Sequence, residues 1–277
     1  MINSNTHEYI EFYEGTLPII LSAPHGGEIL PKEIKTRTSG VFEKDDYTKE
    51  LTLEIIKEFE KSLDKTPYAV IASISREKID LNRKKEEAFE DKKASKIYDR
   101  FHNLIKFSKN EVEKKFAKGI YIDIHGQSHP HNYLEFGYML DNSTLNLHET
   151  QLKEYQEQSS IKNLAKFSKQ SFFNQLKGPF SMGSLMTNLG FDSVPSVKLP
   201  YAADNNYYEG AYNTYLHGSL DKRNISGIQI EFPYVNCRDT KENRQRCAKA
   251  FVSALTKFLE VHLEINFPKI DCFEQNL

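Results

Sequence analysis

The sequence predicts a three-layer α/β/α fold with a mixed, mostly parallel central sheet. Two observations carry that expectation. Short β-rich apolar runs alternate with longer helical ones. Most of those runs are nearly continuous, the pattern of strands covered by helices on both faces. The chain has 277 residues, 39% of them hydrophobic and 27% charged, which is ample for a large core.

Strands are expected at 19–23, 68–74, 120–124, 134–140 and 227–232. Helices are expected at 46–63, 83–118, 160–177 and 240–263. In the last of these, Ala248, Phe251, Val252, Leu255, Phe258 and Leu259 recur as one helical stripe, and Asp239 or Thr240 is placed to cap it. No internal repeat or low-complexity linker divides the chain, so residues 1–277 are expected to form a single domain. Residues 142–210 are polar and poorly patterned, and read as an insertion or a segment covering a substrate.

Composition excludes some partners. The net charge is −2, and basic runs such as Arg83-Lys84-Lys85 have acidic neighbours, so neither nucleic acid nor an anionic membrane is expected. No apolar run of about 18 residues is present to span a bilayer. The first residues lack a basic start followed by an apolar stretch, so a cytoplasmic location is the expectation. Cys237, Cys247 and Cys272 show neither metal-ligand spacing nor a disulfide framework.

Several polar residues stand at the ends of the apolar runs. His25 and Glu28 in Pro24-His25-Gly26-Gly27-Glu28 are either a solvated turn or two ligands of one zinc ion, with room for a third ligand and water. His125 ends another run and is either bonded to a carbonyl or that third ligand, and Asp123 on the same side of the strand can orient it. Arg76, Asn82 and Arg83 follow a third run and are either a surface loop or a grip for a carboxylate. Glu231 within Ile230-Glu231-Phe232 is either salt-bridged or a general base. His129 and His131 are assigned to a polar loop. Asp45 and Asp46 are assigned to helix capping rather than to ligands, although Asp46 could contact the site.

Together these residues resemble the N-formylglutamate amidohydrolase family, a group of zinc carboxypeptidase-like hydrolases. The matching stretches are the Pro-His-x-Gly start and Ser-Arg-x-x-x-Asp-x-Asn-Arg at 75–83. Asp-x-His-Gly follows at 123–126, then Gly-x-Tyr-x-x-x-x-His-Gly at 210–218 and Gln-x-Glu at 229–231. The resemblance spans about residues 18 to 240. It implies a phosphorylase/hydrolase-like, carboxypeptidase-like fold and a metal-dependent amidohydrolase. One zinc would be held by His25, Glu28 and His125. Asn82 and Arg83 would hold a substrate carboxylate, Arg76 would add a second positive contact or polarise the carbonyl, Glu231 would act as base, and His217 would line the pocket. The implied substrate is a small acyl-amino acid or a peptide end. A carboxypeptidase-type peptidase, a deacylase of another substrate, and a non-catalytic carboxylate-binding protein remain alternatives. The stretch 151–177 looks longer than compact members of the family would carry, which leaves the substrate open.

Overall fold

The computed structural model describes residues 8–219 and 223–268. The N-terminal stretch read for a leader, and Cys272, lie outside the described residues. In chain order, β1 (Ile10–Tyr13) and β2 (Ile19–Ala23) precede α1 (Thr48–Leu63) and β3 (Tyr68–Ala72). Then come α2 (Lys85–Ala88), α3 (Ser95–Phe116), β4 (Gly119–Gln127) and β5 (Leu134–Gly137). The next stretch carries α4 (Asn142–Leu145), α5 (Glu149–Leu152), α6 (Phe172–Lys177), α7 (Met182–Asn188) and β6 (Ser193–Val194). The chain continues with α8 (Tyr212–His217), β7 (Ile225–Pro233) and α9 (Lys241–Leu263).

The strands form one mixed sheet in the order β1-β3-β2-β4-β7-β5-β6. The run β3-β2-β4-β7 is parallel, as is the β5–β6 pair, while β1 and β5 lie antiparallel to β3 and β7. Helices cover both faces, so the three-layer expectation holds. Alternation along the strands sorts the two cores. Leu21, Ile122, Ile124, Ile228 and Ile230 pack with residues of α1, α7 and α9 on one face. Ile20, Val70 and Tyr121 pack with Phe101 and Ile105 of α3 on the other.

The chain leaves β2 through α1 to β3 on one side, then through α3 to β4 on the other side of β2. The strand order therefore switches direction between β2 and β4. In open α/β sheets the crevice at the carboxyl ends of such strands is where ligands bind.

Several expected elements differ. The helix expected at 83–118 begins as an isolated turn, α2, because Phe89 is extended. It becomes continuous only at Ser95, where Ile97, Tyr98, Phe101 and Ile105 supply a buried stripe. The helix expected at 160–177 is a 3₁₀ stretch at Lys162–Lys166 followed by the short α6. Segment 142–210 contributes Leu145, Leu152, Ile161, Leu164 and Leu176 to the larger core, and β6 to the sheet edge. Thr240 caps α9, its hydroxyl accepting from Asn243 N at 3.1 Å.

Candidate metal-binding site

β4 reads Ile120-Tyr121-Ile122-Asp123-Ile124-His125. The isoleucines enter the core beneath α9, so Tyr121, Asp123 and His125 share the opposite face. β7 repeats the device: Ile228, Ile230 and Phe232 pack inward, which leaves Gln229 and Glu231 on the polar side. Register aligns the polar sets. Ser22, Asp123 and Gln229 form one row, and His125, Glu231 and Glu135 form the next. All six side chains are buried.

His25 arrives two residues after the end of β2. Gly26 allows close packing there, since a Cβ on it would stand 2.6 Å from Lys49 N. The His25 Nε2 proton is donated to Asp80 Oδ1 at 2.7 Å. That leaves Nδ1 as the ring nitrogen open to another partner. Nδ1 is buried with no hydrogen-bond partner and faces Asp45 Oδ2 at 3.5 Å. His125 shows the same plan: Nε2 meets Asp123 Oδ2 at 2.8 Å, and Nδ1 meets Asp45 Oδ2 at 3.0 Å. The two rings stand edge to face, 4.9 Å apart. One ligand atom from each of His25, Asp45 and His125 lies within 4.8 Å of the other two.

These residues fit a metal ion. Two histidines and a carboxylate are the donor types of a catalytic zinc site with an open position. Each ring gives its other nitrogen to a carboxylate, the arrangement that fixes tautomer and orientation in metal-ligating histidines. The orphaned Nδ1 of His25 is what an ion would satisfy. Charge points the same way. Burial disfavours a charged His125, but Asp123, Asp45 and Glu231 outweigh it and hold the ring well above its ordinary range. A place that binds a proton this firmly is one that favours a cation.

The surrounding residues hold this group in place. Arg76 donates to Asp80 Oδ2 from Nε at 3.2 Å and Nη2 at 3.1 Å, and its Nη1 lies 3.6 Å from Asp45 Oδ1. Ser22 joins Asp123 to the Tyr121 hydroxyl. Arg238, fully buried, donates to Phe232 O at 3.0 Å, to Gln127 O at 2.8 Å and to Asp46 O. It thus binds the loop carrying Asp45 to the ends of β4 and β7. Residue 126 must be glycine for this, because a Cβ there would collide with the guanidinium.

The structure brings together His25, His125, Arg76, Asn82 and Glu231, but not all in the expected positions. Glu28 does not join the histidines. Its side chain is 74% exposed and paired with Lys44, because the tight Gly26-Gly27 turn carries it outward. Asp45 occupies the third place instead and caps nothing: α1 starts after Tyr47, in the left-handed region, without a side-chain cap. Asp46 faces solvent beside Lys44. Asn82 is committed to the protein, its Nδ2 lying 3.2 Å from His125 Nε2 while its Oδ1 accepts from Asn213 N at 2.8 Å. Arg83 remains 43% exposed, 3.8 Å from Asp80. His217 does not line the site. It is buried between α8 and α3, its Nε2 3.0 Å from His102 Nδ1.

Glu231 stands beside His125 in register, and Gln229 Nε2 donates to its Oε1 at 3.0 Å. Burial pushes its carboxyl up to about 7, with Asp45 and Glu135 adding to the rise and His125 opposing it. A carboxyl poised there exchanges a proton near neutrality.

Among solved structures, the chain is similar in fold to an N-formylglutamate amidohydrolase from Ralstonia eutropha JMP134. The TM-score is 0.57 at 11% identity, over 93% of this chain and 99% of that one. A gene product of Agrobacterium tumefaciens aligns with TM-score 0.56 at 12% identity, over 92% and 96% of the two chains. No family model matches the sequence. No curated protein matches it either. The likeness is one of fold: a mixed sheet between helical layers, nearly end to end.

Proposed function

We propose that this protein is a metal-dependent hydrolase that cleaves the amide bond of an N-acyl amino acid bearing a free carboxylate. The observation that carries this reading is the convergence of His25 Nδ1, Asp45 Oδ2 and His125 Nδ1 beside a buried Glu231 that titrates near neutrality. The fold shared with an N-formylglutamate amidohydrolase supports it.

His25, Asp45 and His125 would hold one divalent ion, zinc by donor type. Such an ion supplies Lewis acidity toward a carbonyl oxygen and toward water. Glu231 removes a proton from the attacking water as the new C–O bond forms. It then returns that proton to the nitrogen as the C–N bond breaks, releasing a carboxylic acid and an amine. Arg76 is engaged by Asp80 and Asp45, so it positions the site rather than gripping substrate.

The test is metal analysis joined to turnover. Purified protein should bind one zinc per chain and hydrolyse N-formyl- or other N-acyl-L-amino acids. Glu231→Gln should keep the zinc and lose about 10²–10⁴-fold in kcat. Full activity in that variant would remove Glu231 as the base, and failure to take up any divalent ion would remove the metal.

A further inference from the structure

The loop leaving β4 carries His129, which the reaction above does not use. Its Nδ1 lies 2.7 Å from Glu135 Oε1. Its ring stacks on Tyr208 with centroids 4.9 Å apart and planes 17° from parallel. Glu135, completely buried, accepts from Tyr208 N at 2.9 Å through its other oxygen. The backbone N–H of His129 is tied to Gln127 Oε1, and Gln127 Nε2 donates to Tyr133 O at 2.9 Å.

The position is as telling as the clamp. Glu135 ends the row His125–Glu231–Glu135, two strands from the metal-binding group. Adjacent strands are about 4.8 Å apart, so the row is roughly 10 Å long. An N-acyl amino acid is about two residues of extended chain, roughly 7 Å. Tyr208 links the two ends electrostatically. Its phenol is raised by burial and then by Glu231, Glu135 and Asp45, while Arg76 opposes the rise.

We propose that His129 is a substrate-contacting residue that binds, through Nε2, a carboxylate or carbonyl oxygen of the amino-acid half of the substrate. This contact rests on the hydrolase reading above and places the amino-acid end across Glu231 from the metal group. Nδ1 is committed to Glu135, so Nε2 is the only polar ring atom left for a ligand, and the side chain is 13% exposed. Protonation supports a donor there. Burial pushes Glu135 up to about 8 and pulls His129 down, so at neutral pH the pair shares one ring proton and one carboxyl proton. With the carboxyl O–H donating to Nδ1, the ring proton sits on Nε2.

The test uses zinc-loaded full-length protein, with N-formyl-L-glutamate and N-acetyl-L-glutamate as substrates and calorimetric titration of L-glutamate. His129→Ala should raise KM and weaken L-glutamate binding about ten- to hundredfold, the worth of one charge-assisted hydrogen bond. Zinc content, melting temperature and kcat should stay near wild type. His129→Gln, which retains a donor near Nε2, should recover part of the loss. Unchanged KM and unchanged L-glutamate affinity in His129→Ala overturn the contact, as does a loss confined to kcat. Zinc binding without turnover of either substrate by wild type overturns the hydrolase reading, and the contact with it.

Discussion

Asp80 and Glu135 are both buried carboxylates set 2.7 Å from a histidine nitrogen, yet they hold their protons very differently. Burial raises both. For Asp80, His25, then Arg76 and the Asn82 N–H, outweigh it and keep the carboxyl far below the usual range. Glu135 has only the Tyr208 N–H against burial, and Asp204 adds to the rise, so it reaches about 8. The difference is the charge beside each carboxyl: at Asp80 His25 leads and Arg76 follows, while Glu135 has no arginine. With Arg76 beside it, Asp80 is ionised, and the other ring nitrogen of its histidine faces Asp45. Without an arginine, the other pair is neutral and its free nitrogen is a donor. Under the proposed function, environments that push like groups apart in this way give them different work: holding a cation at one end of the site and handling protons and polar oxygens at the other.

The largest expected effect breaks the cationic end. Asp45→Asn should weaken zinc binding by more than the roughly 10–100-fold carried by partners of ligand histidines, while Glu28→Gln should leave it unchanged. Competition with a chelating dye measures both. If the two variants exchanged these outcomes, Glu28 rather than Asp45 would complete the ion's ligand set.

A smaller effect sharpens the comparison directly. Arg76→Gln should turn the His25–Asp80 pair into something closer to the His129–Glu135 pair. Zinc affinity should then fall about 10–100-fold, with KM little changed at saturating zinc. The alternative implied by the family resemblance, Arg76 polarising the substrate carbonyl, gives the reverse: zinc affinity kept and kcat lost. Measuring both quantities on one preparation separates the two.

Much of this site was legible in the sequence, and what was not has a physical reason. His25 and His125 end apolar strands, and that position, with the His-x-x-Glu spacing and the Asp-x-His-Gly stretch, marks them in the sequence; Glu231 stands out as an acid in an apolar run. The alternation of Asp123 and His125 against Ile122 and Ile124 was also present, though reading the run as apolar throughout hid that one face of the sheet is polar. Asp45 was missed because it approaches from a loop whose course depends on Arg238, and no local spacing encodes that. Glu28 misled because a His-x-x-Glu pair on a helix or open turn converges, whereas here the Gly26-Gly27 turn diverges. The helix expected at 83–118 is too long for a related reason: Lys84, Lys85, Glu86 and Glu87 suit a helix locally, but extended Phe89 interrupts it and the continuous buried stripe starts only at Ile97.

The smallest effect concerns the proton-rich end and needs no metal. Glu135 has its folded-state pKa raised from 4.5 to about 8, so the native protein holds that proton longer than the unfolded chain. The stability this provides is present below about pH 4.5 and is lost as pH rises toward 8. Glu231, raised from 4.5 to about 7, adds a parallel loss over a slightly lower window. The share of these two carboxyls should therefore fall from pH 5 to pH 9, against the opposite share of His102, His217 and His262, whose buried rings are held below their usual range. Glu135→Gln keeps a donor for His129 Nδ1 and carries no charge, so it should remove its share of the slope and leave that of Glu231. The metal-free wild-type and variant curves should meet near pH 5 and differ at pH 9 by at least the roughly 2–4 °C that one kcal/mol represents in a chain of this size. Thermal melts at pH 5, 7 and 9 suffice. Parallel curves would mean that Glu135 is already ionised at neutral pH, in which case His129 presents a lone pair instead of a proton and the two ends of the site differ less than their surroundings imply.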